Sequence, residues 1–324
     1  MSACFAFGVI ACDRETSEAP VSPSSDSSTL SSSASPKTIR IASFSVAVDY
    51  APYLVAKRKG WFEETFKDDG IAVEYKIFQS LPPVNESFAT NRIDVVFEAE
   101  PPALVAEAAG IDVVVPGISA TLTQEILVGA DSSIQTAADL KGKKVAVLAG
   151  TSSHYGLLKT IESAGLQPED IEIVDMVPPD AKNAFETNQV DAWAVWPPFV
   201  QQAIVSGKGR ILPKGDAVIQ SIMVADADFA AAHPELIKEL VSVLDKSKKW
   251  IQENPDEAQQ ILATELDLPL EVIQRSWSVH DWTAELTPEV TSDIQGKANF
   301  MAENGFLGKT VNVETDLIDT SFGE

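Results

Sequence analysis

The apolar positions of this chain fall into two periods that succeed one another twice. Ile39–Ala42 is a short apolar run, and Ile71–Phe78 alternates apolar with polar residues, as strands do. Between them, Tyr50–Arg58 predicts a helix stopped by Gly60. Val84–Thr90 predicts a second helix, and Asp94–Phe97 a third strand ended by Pro101-Pro102. The succession restarts at Lys143. Val145–Leu148 predicts a strand, Tyr155–Ala164 a helix stopped by Gly165, Ile171–Val177 a strand, Ala181–Thr187 a helix, and Ala192–Trp196 a strand ended by Pro197-Pro198. Tyr50 to Gly60 and Tyr155 to Gly165 are both ten residues apart, and Thr90–Asp94 (TNRID) aligns with Thr187–Asp191 (TNQVD). A period of about a hundred residues is too long for a stacked-repeat solenoid. The pattern predicts a βαβαβ half, present twice.

Such halves imply an α/β fold of two lobes, each a mostly parallel sheet flanked by helices. Glu125–Val128 and Ser221–Val224 predict two crossover strands joining them. The expected division is 37–126 with 222–324 as the first lobe and 127–221 as the second. Pro234–Trp250 and Asp256–Glu265 predict amphipathic helices that return to the first lobe and carry solvated charges. Ligands of open α/β sheets bind beyond the carboxyl ends of the strands. That rule nominates Ser43–Asp49, Glu98–Pro102, Gly150–His154 and Trp196–Phe199, which meet in one cleft if the lobes face each other.

The stretch Lys144–Leu158 carries the most chemistry. A strand hands over at Gly150 to Thr151, Ser152, Ser153, His154 and Tyr155 at a helix start. The first turn of a helix has unpaired N–H groups and the positive end of the dipole, which suit an anion. The same residues also suit an ordinary N-cap. Composition narrows the rest. With 45% hydrophobic residues among 324, the chain can build a real core. A net charge of −24 opposes nucleic acid and anionic lipid surfaces as partners. No apolar run reaches the roughly 18 residues of a spanning helix. The two cysteines, Cys4 and Cys12, both precede the body, and the three histidines are far apart. Neither a metal site nor a cofactor is expected.

The N-terminal residues read differently. Phe5–Ala11 is apolar and ends in small residues, and Val9-Ile10-Ala11-Cys12 resembles the lipobox of bacterial lipoproteins, although no Lys or Arg precedes it. The resemblance implies a lipid-modified Cys12. Thr16–Pro36 is mostly Ser, Pro, Ala and Thr, the composition of a flexible tether. Residues 1–36 are thus expected to be a signal, lipobox and tether.

IDVVFEAEPPALVAEAAG, DLKGKKVAVLAGTSSHYGLLKTIESAGL, VDAWAVWPPF and DFAAAHPELIKELV resemble the solute-binding proteins of ATP-binding-cassette importers, closest to the aliphatic sulfonate, taurine and nitrate branch. The likeness runs from about Ile39 to about Glu253. It implies a two-lobed fold of the type II periplasmic-binding kind that traps a small oxyanion between its lobes for a membrane permease. Location would be the periplasm or, lipid-anchored, the outer face of the cytoplasmic membrane. A monomer is expected. Carried over residue by residue, Thr151, Ser152, Ser153 and His154 match the anion-holding turn, and Trp196 matches a tryptophan that packs the ligand's tail. Gln124 and Glu125 match a polar pair before the first crossing. Ser45, Tyr50 and Ser80 fall near the first-lobe rim. Glu98-Ala99-Glu100 departs from the family pattern at a strand tip. Two carboxylates at an anion site are costly unless a cation sits between them. Either the ligand is a zwitterion with its amine toward Glu98 or Glu100, or one carboxylate points away and caps the helix that Pro101-Pro102 open. Enzymes of thiamin-pyrimidine or menaquinone synthesis with the same fold, and modules that present ligand to a sensor, are the alternative functions.

Overall fold

The structure, a computed structural model, describes residues 35–44, 47–213 and 217–323. Cys12 and the tether up to Ala34 lie outside the described residues, as does Ser45. The chain begins with β1 (Thr38–Phe44), α1 (Ala51–Lys59), α2 (Trp61–Phe66), β2 (Ala72–Phe78), α3 (Leu81–Ala89), β3 (Val95–Ala99), α4 (Glu100–Ala108) and β4 (Val113–Thr123). Past Gln124 come β5 (Glu125–Gly129), β6 (Lys144–Val147), α5 (Ser152–Ser163), β7 (Glu172–Asp175), α6 (Pro178–Glu186), β8 (Ala192–Val195), α7 (Phe199–Val205) and β9 (Gly209–Ile211). It returns as β10 (Val218–Asp226) and ends in α8 (Ala227–Ala232), α9 (Pro234–Glu253), α10 (Pro255–Glu265), α11 (Leu270–Trp277), a short β11 (His280–Asp281) and α12 (Pro288–Glu303).

These strands make two sheets, in the orders β11-β4-β10-β3-β1-β2 and β7-β6-β8-β5-β9. Between the strands named above, parallel pairing is confined to β2-β1-β3 and β7-β6-β8, the two βαβαβ cores. The remaining pairs are antiparallel, so the sheets are mixed where the repeat alone predicts mostly parallel ones. The cause is the double crossing. A strand arriving from the other lobe enters at the carboxyl end of the core strands, so β5 and β10 must run against them. The crossings fall at Gln124 and between β9 and β10, and Gln124 N donates to Ala217 O at 2.9 Å, tying the two passages together.

The duplication is visible in the backbone. Gly60 and Gly165 end the first helix of each half with φ of 71° and 77°. Asn91 and Asn188, paired positions of the TN motif, are left-handed, with φ of 51° and 57°. Asn tolerates that region better than most residues. Three residues on, Asp94 accepts from Arg40 N at 2.6 Å and Asp191 from Lys144 N at 2.9 Å. Each half thus clips its first strand to its third with a carboxylate. The Arg40 guanidinium also pairs with Asp94.

On the first sheet, Tyr53 of α1 stacks on Phe97 of β3 at 4.7 Å between ring centroids. The C-terminal helices return as expected: α9 and α10 pack on α1, and Ser247 donates to Pro52 O at 2.6 Å. They also reach further, since α11 packs on α7 beside the second sheet. One of their charges is not solvated. Lys248 is buried and its ammonium donates to the Ala284 carbonyl, while burial pulls its pKa down. No helix among the described residues is long and apolar enough to cross a membrane.

Candidate functional site between the two sheets

The four nominated strand tips meet. Phe44, the last residue of β1, faces Trp196 just past β8 with ring centroids 6.2 Å apart. Ala99 at the end of β3 packs with Leu122, Ile219 and the Tyr155 ring from the first turn of α5. Tyr50, Glu98, Thr151, Ser152, Ser153, His154 and Trp196 are all buried at this junction. A site closed between lobes excludes water, which strengthens every polar contact inside it.

The turn into α5 is held largely by its own groups. Thr151 is the N-cap residue, but its hydroxyl donates backward to Leu148 O at 2.7 Å. Gly150, at φ 74°, donates its N–H to His154 Nδ1 at 3.2 Å. That bond leaves the neutral ring's proton on Nε2. Burial pulls the His154 pKa below its usual value, so the ring is neutral at pH 7, and it meets Phe306 edge-on at 4.7 Å. Ser153 donates to Gln124 Oε1 at 3.3 Å. Two of the three hydroxyls therefore spend their protons inside the protein. What the turn offers an anion is the backbone N–H groups of the first turn and the Ser152 hydroxyl.

The polar pair at the first crossing is bound inward as well. Gln124 Nε2 donates to Glu125 O at 2.9 Å and to Val195 O at 3.1 Å. With Oε1 accepting from Ser153, this amide joins the crossing, β8 and α5. Glu125 is buried and accepts from Gln201 Nε2 at 3.2 Å, and Gln201 Oε1 accepts from Ser276 at 3.3 Å. Ser80 is the N-cap residue of α3, half-buried and without a side-chain capping bond.

The two tip carboxylates separate cleanly. Glu100 opens α4, and its carboxylate accepts from Gln220 N at 3.1 Å and from the Lys297 ammonium. Lys297 also contacts Gln220 Oε1 and Asp293, the latter at 2.7 Å. Glu100 is thus engaged in a buried ion pair with Lys297 of α12. Glu98 is 2% exposed, and its Oε2 has no hydrogen-bond partner. Burial alone pushes its pKa up to about 8.

Tyr50 is set by its neighbour. Asp49 accepts from Ser221 at 3.2 Å and contacts His280 Nε2 at 3.0 Å, while His280 Nδ1 meets Ser276 O at 2.7 Å. Burial, with Asp49, Glu98 and Glu100 nearby, keeps the Tyr50 hydroxyl protonated. Phe306, Lys297 and His280 are contributors that the strand-tip rule does not name. Lys297 carried no usable signal, because a lysine in an amphipathic helix reads as solvated. Phe44, two residues beyond the predicted strand, falls inside the nominated stretch Ser43–Asp49.

The architecture is therefore a two-lobed α/β protein with a closed, polar junction between the carboxyl ends of its sheets. A family model described as NMT1/THI5 like matches residues 47–258, and the chain belongs to that family. It is 31% identical over 295 residues to the "Putative aliphatic sulfonates-binding protein" of Bacillus subtilis (strain 168), covering 88% of this chain and 87% of that one. It is 26% identical over 280 residues to the taurine-binding periplasmic protein of Escherichia coli (strain K12), covering 80% and 87%. Among solved structures, the alkanesulfonate-binding protein SsuA from Xanthomonas axonopodis pv. citri, bound to MOPS, superposes with a TM-score of 0.78 at 25% identity, covering 89% of this chain and all of that one. The fold is that of the two-lobed periplasmic binding proteins. The desulfurization enzyme DSZB, with a TM-score of 0.67 at 17% identity over 89% of this chain and 97% of its own, shares the fold alone.

Proposed function

We propose that this protein is the extracytoplasmic solute-binding component of an ATP-binding-cassette importer and traps a small sulfonate between its lobes. The observation that carries the reading is the start of α5. It is buried where the two sheets meet and has its first-turn N–H groups available to an anion. Three acceptor oxygens of a sulfonate suit those N–H groups and Ser152, with Trp196 and Phe44 against the carbon chain. The lobes, 37–126 with 222–324 and 127–221, would close on the ligand about the paired crossings at Gln124 and Ala217. Permease subunits are the expected partners of the closed form, which acts as a monomer. Cys12 would carry the lipid, with the Ser-rich tether holding the body at the outer face of the cytoplasmic membrane. No bond chemistry is assigned. Thr151 and Ser153 direct their protons to Leu148 and Gln124, and His154 Nδ1 is taken by Gly150, so none forms a nucleophile and base pair.

A thermal-shift screen over alkanesulfonates, taurine, nitrate and small carboxylates tests the reading. A specific ligand at a hundredfold excess over its Kd stabilises by about 2.7 kcal/mol. A shift with at least one sulfonate is expected. A shift confined to carboxylates, or none with any anion, overturns it.

A further inference from the structure

The buried carboxylate of Glu98 has no role in the scaffold. It is not a capping group, since α4 starts two residues later and its own first residue, Glu100, is the one engaged by Gln220 and Lys297. The register of β1 and β3 sets Ser43 opposite Phe97, so Phe44 and Glu98 come next, side by side on the same face. The Phe44 ring meets Trp196 of the other lobe, so that face looks into the junction. Glu98 therefore lies on the first-lobe face that meets the β8 tip, at the junction where the start of α5 is also buried. A buried acid left without a partner costs free energy in the empty protein. A cationic group on the ligand would remove that cost.

We infer that Glu98 is an ammonium subsite on the first-lobe side of the junction, so that the solute is a short aminoalkanesulfonate, held by its sulfonate on one lobe and its amine on the other. This rests on the sulfonate reading above and deepens it. The groups around Glu98 fit the assignment. Tyr50 is held protonated, Glu100 is neutralised by Lys297, and Asp49 is engaged by Ser221 and His280. A cation brought to Glu98 therefore meets an acid that nothing else in the fold has claimed. With its pKa raised by burial, Glu98 is protonated in the empty site at pH 7, so docking an ammonium there must release a proton.

Calorimetric titration with taurine and with ethanesulfonate, its counterpart lacking the amine, tests the inference in the full-length protein. Taurine should bind at least about tenfold more tightly, the worth of a charge-assisted hydrogen bond. Repeating the taurine titration at pH 7 in buffers of different ionisation enthalpy should show close to one proton released, and ethanesulfonate none. Glu98→Gln should abolish the proton release and remove or reverse the preference while leaving ethanesulfonate affinity within about threefold. If both ligands bind equally and without proton release, Glu98 is no ammonium subsite and the sulfonate reading stands. If neither binds, both readings fall. Should Glu98→Gln fail to fold, the wild-type ligand pair and its proton count decide alone.

Discussion

Gly156→Ala isolates the strut at the first crossing. Gly156 lies inside α5, where alanine is ordinarily better than glycine by about 1 kcal/mol. Here a Cβ would stand 2.2 Å from Gln124 Cγ and 2.7 Å from Gln124 Cβ. The Cβ contact is decisive, because no rotation of the Gln124 side chain moves its own Cβ. Either the crossing or α5 must shift, and with it the amide that bonds Glu125 O, Val195 O and Ser153. Overpacking costs about 1–3 kcal/mol and each strained buried hydrogen bond about 1 kcal/mol. Set against the helix gain, the net loss is about 2–4 kcal/mol. Urea denaturation of the ligand-free protein measures it directly. The double variant Gly156→Ala with Gln124→Gly removes the clashing atoms and should recover part of the loss, giving a coupling energy of opposite sign. A Gly156→Ala variant as stable as wild type, or more so, would refute the close approach.

Other predictions test separate parts of the same frame. Lys297→Met strands Glu100 in the core and should cost about 3–5 kcal/mol in denaturation, most of it regained when Glu100→Gln is added; a loss below 1 kcal/mol would mean the pair is not buried as described. Asp94→Ala, which frees a half-buried guanidinium partner as well as a backbone N–H, should destabilise more than Asp191→Ala, where only the backbone bond is lost; equal losses would refute the assigned asymmetry. Because Glu98 titrates near 8 when folded and near 4 when unfolded, the native state holds the extra proton between those values. Stability of the ligand-free protein should therefore fall as pH rises from about 4 to 8 and level off above, by at most about 1.4 kcal/mol per unit from this group, and Glu98→Gln should flatten the slope. A pH profile unchanged by the substitution would show that Glu98 is not buried in the empty protein.

Much of the frame was legible because local rules repeated. The Gly60 and Gly165 stops, the left-handed Asn91 and Asn188, and the Asp94 and Asp191 clips recur at matching positions, so one motif vouched for the other. The helix bounds at α9 and α10 followed from amphipathic spacing and the prolines at their starts. Three kinds of feature were not legible. The long β4 carries no clear alternation because it is buried almost throughout. The sheet directions depended on where the crossing strands enter, a property of the whole chain. The inward use of Gln124, Thr151 and Ser153 depended on side-chain partners far away in sequence, which spacing cannot rank.

The paired acids Glu98 and Glu100 show why the site could be placed yet not read. In sequence they are equivalent: two glutamates at one strand tip, both poor company for an anion. Their difference comes from Lys297, almost two hundred residues away, which reaches back from α12 to one and not the other. An ion pair made within the fold consumes Glu100 as structure. The acid left over, Glu98, keeps its desolvation cost until something charged arrives between the lobes. That asymmetry gives closure a direction. On the proposed reading, a cation carried in by the ligand would relieve that cost on the first lobe, while its anion would occupy the helix start on the second. A solute bearing both charges therefore gains from both lobes at once only when they are shut. A sulfonate without the amine satisfies one lobe and leaves the other uncompensated, and should leave more of the protein open. Small-angle scattering of the two liganded forms measures this: equal radii of gyration would refute the coupling of Glu98 to closure.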